Sequence, residues 1–188
     1  MSRMLLSVAI VWVMTNPLVI GQNASQKEGL KPGEAIGAFY VTKVAGAVDD
    51  DVEPGDYLCY RCRYGSSPMV MVFARQTGGK VPQLVKQLDS AVAANEDVKL
   101  KGLLTLMGDK PEELTETGKK IAQQLQAKKI PVVIAEDAKT GPLNYKLPGN
   151  VDVTIVVAKD SQVVSTHSFA AENVDVAAVM RDVKQMLN

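Results

Sequence analysis

The segment PMVMVFA, Pro68 to Ala74, is apolar without interruption for the length of one strand. A strand wetted on one side would alternate polar and apolar residues, so a continuous run demands cover on both faces. The residues that follow can supply that cover. Val81, Leu84, Val85, Leu88 and Val92 recur at spacings of three and four, one stripe of an amphipathic helix. VKLKGLLTLMG, residues 98–108, returns to strand. DKPEELTETGKKIAQQLQAKK, residues 109–129, has Asp109 as a candidate N-cap, Pro111 in the first turn, acids early and lysines late, the marks of a second helix. IPVVIAED, residues 130–137, is another buried strand pattern. Val151, Val153, Ile155 and Val157 alternate, and KDSQ turns the chain into VVSTHSF, a β-hairpin. Val176, Val179, Met180, Val183 and Leu187 place a closing helix, and AFYVTKV, residues 38–44, adds a short strand ahead of the rest. Strands alternating with helices, followed by a hairpin, predict an α/β fold: one domain built on a central mixed sheet flanked by helices.

The composition narrows the function classes. Lysine and arginine number 21 against 21 aspartates and glutamates, and the aromatic share of 5% is not interleaved with basic residues. No nucleic-acid partner is expected from such a surface. The N-terminus has Arg3, an apolar run from Met4 to Met14, the breaker pair Asn16-Pro17, and Val19-Ile20-Gly21 ahead of Gln22. That is the layout of a secretory signal peptide over residues 1–21, with an uncleaved anchor as the alternative. Residues 22–32 then form a disordered lead-in carrying the sequon Asn23-Ala24-Ser25, and the domain occupies residues 33–188. The expected location is periplasmic or extracellular, with no membrane contact once the signal is removed. The oligomeric state is left open.

Export bears directly on the chemistry. Cys59 and Cys62 are the two cysteines of the chain, a C-x-x-C in GDYLCYRCRYG that lies before the apolar strand. Outside the cytosol a disulfide persists, and each cysteine has only the other as an intramolecular partner. Three readings follow. A local disulfide would staple the loop leading into the strand, stabilising the fold by roughly 2 kcal/mol. A redox pair would exchange disulfides with other exported proteins. Arg61 and Arg63 would favour thiolate, and Tyr57, Tyr60 and Tyr64 would form an apolar docking surface. A copper or zinc site would use Cys59 and Cys62, with the single histidine, His167, as an optional further ligand; zinc would want three or four ligands, whereas cuprous ion tolerates fewer. Asp49, Asp50 and Asp51 lack the alternate spacing of a calcium loop and are expected to be solvated. G-x-S-x-G, H-E-x-x-H and G-x-x-x-x-G-K are absent, and no cofactor is expected.

The order of elements, with LKPGEAIGAFYVTKVAG at the front, MVMVFAR as the first core strand and VTIVVAKDSQVV as the late hairpin, resembles the thioredoxin-like superfamily in its peroxiredoxin-like, redoxin branch. The resemblance covers residues 30–188. It implies a thioredoxin-like fold and, at the family's active position, a dithiol after the first core strand. The matching stretch, Ala74 to Leu84, contains no cysteine. The family's groove proline is matched by Val153 ahead of Thr154, and Thr77-Gly78-Gly79-Lys80 is left as a turn. The resemblance therefore implies a displaced centre at Cys59 and Cys62, with Cys59 attacking by analogy. The alternative is a binding or scaffold protein with a structural disulfide.

Overall fold

A computed structural model describes residues 29–188. The expected signal peptide, the sequon and the expected lead-in as far as residue 28 lie outside the described residues. Seven strands form one mixed sheet: β1 (Val41–Gly46), β2 (Tyr57–Leu58), β3 (Met69–Ala74), β4 (Lys101–Leu106), β5 (Pro131–Ala135), β6 (Val153–Lys159) and β7 (Gln162–Phe169). Their order across the sheet is β2-β1-β5-β4-β3-β6-β7. β3, β4 and β5 are parallel neighbours, and the other pairings are antiparallel. Among the described residues four α-helices accompany the sheet: α1 (Tyr60–Tyr64), α2 (Val81–Ala94), α3 (Pro111–Leu125) and α4 (Val176–Leu187).

Both faces of the sheet are covered, as the unbroken apolar strands require. One face carries Val72, Leu104, Val132 and Ile155 against Leu84 and Leu88 of α2, Ile121 of α3, and Val179 and Val183 of α4. The other carries Met69, Met71, Phe73, Leu103 and Val133 against Ile36 and Phe39 of the N-terminal segment, Tyr60 of α1, and Tyr145 and Leu147 of a later loop. All six residues of β3 are buried. The turn between β6 and β7 places Asp160 and Ser161 at φ 53° and 64°, the left-handed pair of a tight hairpin.

Three local expectations need correction. The packed body reaches back at least to Leu30, which is buried beneath the hairpin side of the sheet and whose carbonyl accepts from Thr166 Oγ1 at 2.7 Å. Residues 29–32 are therefore not part of a disordered lead-in. The N-cap of α3 is Lys110 rather than Asp109, because the Asp109 carboxylate turns to Lys139 Nζ at 3.2 Å instead of to the helix. Finally, β2 and α1 are elements that the sequence pattern left as loop. They are too short to show a period, and α1 is the one that carries the cysteines.

Candidate functional site

Helix α1 begins at Cys59, whose extended backbone (φ −109°, ψ 97°) makes it the N-cap, and the Cys62 N–H donates to Cys59 Sγ at 3.1 Å. Gly65, at φ 59°, ends the helix and returns its N–H to the Arg61 carbonyl. A residue and its third neighbour lie one above the other across a helical turn. With Cα atoms 5.2 Å apart, Cys59 and Cys62 are joined by a disulfide. Cys59 is 8% exposed, whereas Cys62 belongs to the open surface of the helix. The more exposed cysteine of the pair is thus the second, Cys62, and not Cys59.

A buried polar network fixes the helix from beneath. Lys43 of β1, 3% exposed, donates from Nζ to the carbonyls of Ala47 (2.9 Å) and Val52 (2.7 Å) and to Asp50 Oδ1 (2.5 Å). Three acceptors saturate an ammonium group. Asp50 Oδ1 also accepts from the Val52 N–H, and Oδ2 accepts from Tyr60 Oη at 2.5 Å. Burial, reinforced by that bond to a carboxylate, pushes the Tyr60 hydroxyl far above the ordinary tyrosine range. Arg63 Nη2 donates to the Asp50 carbonyl at 2.8 Å, and Tyr64 Oη reaches the Gly102 carbonyl at 3.1 Å. Asp50 is therefore the hub of the network, not a solvated loop aspartate. Tyr60 and Tyr64 are built into the core, so neither offers a docking surface. Tyr57 remains exposed and stacks on Tyr40, ring centroids 5.3 Å apart.

The turn after β3 is organised differently. The Arg75 N–H bonds the Asp152 carbonyl, the Lys80 N–H bonds Ala171, and the Val81 N–H bonds Gly78. Gly79 sits at φ 56°, and a Cβ there would lie 2.6 Å from the Ala171 carbonyl. Val153 pairs with Ala74 and Phe169, and no peptide bond among the described residues is cis.

Solved structures place this architecture. A protein of Chlorobium tepidum described as a thiol:disulfide interchange protein DsbE superposes with a TM-score of 0.62 over 85% of this chain and 99% of its own, at 15% identity. The AhpC of Mycobacterium tuberculosis gives 0.60, covering 86% and 95% at 14% identity. A reduced 2-Cys peroxiredoxin of Plasmodium vivax gives 0.59, covering 83% and 96% at 15% identity. The fold is thioredoxin-like. No family model and no curated protein matches the sequence.

On this thioredoxin-like frame the two cysteines stand on the strand's N-terminal side, as their place in the sequence required. Tyr64, the last residue of their helix, touches Gly102 near the start of β4. The turn at the opposite end of β3 holds none. His167 is not brought to them. It lies on β7 with Nε2 2.8 Å from Asp182 Oδ2 of α4, on the other helical layer. Among the described residues no three histidine, cysteine, aspartate or glutamate side chains gather to hold a metal. His167 is therefore not placed as a third ligand beside Cys59 and Cys62. Arg61 and Arg63 flank Cys62 in sequence. Arg63 is tied to the loop carbonyl, and Arg61 has a buried Nε with no hydrogen-bond partner among the described residues. Sequence reasoning passed over Lys43. Its signal was a lysine two residues after Val41, on the inward phase of a strand, where only a nearby carboxylate could satisfy it.

Proposed function

We propose that this chain performs thiol–disulfide exchange through Cys59 and Cys62, outside the cytosol and on other exported proteins. The observation that carries the proposal is the asymmetry of the pair: an open Cys62 bonded to a sheltered Cys59 that already accepts an N–H bond. An incoming thiolate attacks Cys62 Sγ and forms a mixed disulfide there. The electron pair of the broken S–S bond goes to Cys59 Sγ, which leaves as a thiolate into the hydrogen bond from the Cys62 amide. A second thiolate of the partner then attacks its own sulfur in the mixed disulfide and releases Cys62, so the partner is oxidised and the chain becomes a dithiol. Run backwards, Cys62 attacks a partner disulfide and Cys59 resolves it. Arg61 and Arg63 add positive charge on either side of the attacking sulfur, which favours its thiolate. The signal-peptide layout of residues 1–21 supports a compartment in which the disulfide forms and persists.

The test is the reactivity of the two single variants and the potential of the pair. In Cys59→Ser the remaining Cys62 thiol should react quickly with an aromatic disulfide reagent and titrate below about 8.5, while Cys59 in Cys62→Ser should react slowly. The potential should lie in the range of exchange proteins, about −120 to −270 mV. A potential below about −300 mV, with slow thiols in both variants, would leave a staple.

That staple is the second reading, favoured by the depth at which α1 is anchored. Tyr60 is 1% exposed and sits on the Lys43–Asp50 pair. On that reading the double Cys→Ser variant loses about 2 kcal/mol and nothing else.

A further inference from the structure

A cavity of about 550 Å³ opens where β3, β4 and β5 end, and neither cysteine lines it. Open α/β sheets bind ligands beyond the C-terminal ends of their parallel strands, and this volume suits a small organic molecule. Met107 and Leu147, both buried, form its apolar floor. Leu143, 75% exposed, stands at its side with nothing packed over it.

The charges around the cavity do not cancel. Lys139 is paired with Asp109 at 3.2 Å, and Lys146 with Glu34 at 2.7 Å. Arg75 has no carboxylate within ion-pair distance among the described residues. Its one side-chain hydrogen bond there runs from Nη1 to the Lys139 carbonyl at 2.7 Å. That bond clamps the guanidinium in place while leaving most of its five donors unspent. A fixed fork of donors with an uncompensated positive charge matches the two oxygens of a carboxylate. An apolar floor beside it matches an aliphatic body.

We propose that this cavity binds a small organic monocarboxylate, held head-first by Arg75 with its hydrocarbon part against Met107, Leu143 and Leu147. The site is separate from the disulfide, so its occupancy should be the same whether Cys59 and Cys62 are oxidised or reduced.

The probe is hexanoate, compared with hexan-1-ol and hexylammonium by amide chemical shifts of the ¹⁵N-labelled full chain. Hexanoate should give saturable shifts at Arg75, Gly108, Lys139 and Gly149, and the alcohol and the amine should not. Arg75→Gln keeps a donor for the Lys139 carbonyl but removes the charge, and should weaken binding by about tenfold or more. Leu143→Asp removes an apolar contact and adds a repelling charge, so it should weaken hexanoate, whereas Leu143→Lys keeps an aliphatic stem, adds an attracting charge and should bind hexanoate more tightly than Leu143→Asp does. If Arg75→Gln fails to fold, the Leu143 pair still decides. Equal binding of hexan-1-ol, shifts centred elsewhere, or Leu143→Asp and Leu143→Lys behaving alike would overturn the proposal.

Discussion

Main-chain hydrogen bonds hold the turn after β3, whereas side chains hold the short helix before it. In the turn, the N–H groups of Lys80 and Val81 are used by Ala171 and Gly78, and Gly79 is pressed against Ala171 with no room for a side chain. The side chain of Lys80 points outward and contributes nothing to the lock. In α1 the reverse is true: Tyr60, Tyr64 and Arg63 reach away from the helix to Asp50 and Gly102, and the disulfide closes its first turn. A turn sealed by its own backbone has its Lys80 and Val81 N–H groups already spent. A helix suspended by three of its five residues keeps Cys62 free at the surface in a fixed position.

The largest expected effect follows from that suspension. Asp50→Ala leaves the Lys43 ammonium buried without its counter-charge and the Tyr60 hydroxyl without an acceptor. Breaking such a pair should cost about 3–5 kcal/mol, measured as a shift in the urea midpoint at unchanged m-value. Lys80→Ala in the turn should fall within about 0.5 kcal/mol of the parent. The double variant Lys43→Met, Asp50→Leu should recover much of the loss, because no unpaired charge remains. If Asp50→Ala proved as mild as Lys80→Ala, the contrast between the two regions would be void.

The glycines sharpen the same contrast at intermediate size. Gly79 and Gly65 share a positive φ, 56° and 59°, but a Cβ at Gly79 meets the Ala171 backbone at 2.6 Å and one at Gly65 meets nothing within 4 Å. Gly65→Ala should therefore carry only the conformational penalty of a sparsely populated backbone region, about 1–3 kcal/mol. Gly79→Ala adds a backbone collision and should cost more, as thermal unfolding of the two variants would register. Equal losses would mean that the segment of Ala171 yields and that the turn is less rigid than its hydrogen bonds imply.

How much of this was legible beforehand depends on length of pattern. The six longer strands and the three long helices announce themselves through their patterns, because they bury a stripe or a face. Both β2 and α1, at two and five residues, are too short for a period to repeat, so the helix that carries the cysteines was invisible as a helix. The placement of the cysteines away from the turn after β3 was legible, since chain order alone puts them before the strand. Which sulfur is outermost was not. It depends on Cys59 being the N-cap, which turns its side chain back under the helix toward the Cys62 amide. Asp50 was hidden for a different reason: three consecutive aspartates in a loop look alike in sequence, and only the inward lysine of β1 selects the middle one. The cavity at Arg75 joins residues from Arg75 to Gly149, a spacing no local pattern records.

The smallest effect tests the outer edge of the suspended region. Asp49, beside the hub, takes a hydrogen bond from Lys129 Nζ at 2.7 Å, which ties the loop ahead of α1 to the chain just before β5. That bond, assisted by the lysine charge, holds the Asp49 carboxyl below its ordinary value of 3.8. A carboxyl depressed in the folded state contributes stability above the unfolded value. The contribution is lost as the pH falls through the folded one. Asp49 is more than half exposed, so water and salt screen the pair and the term is small. Asp49→Asn should leave stability at neutral pH nearly unchanged and make the acid limb of a stability–pH curve slightly shallower below about pH 4. Raising the ionic strength to about 1 M, where the screening length shrinks to about 3 Å, should erase the difference between parent and variant. A large neutral-pH loss in Asp49→Asn would instead show that the loop is held from its rim, and the hub at Asp50 would no longer be what fixes the helix.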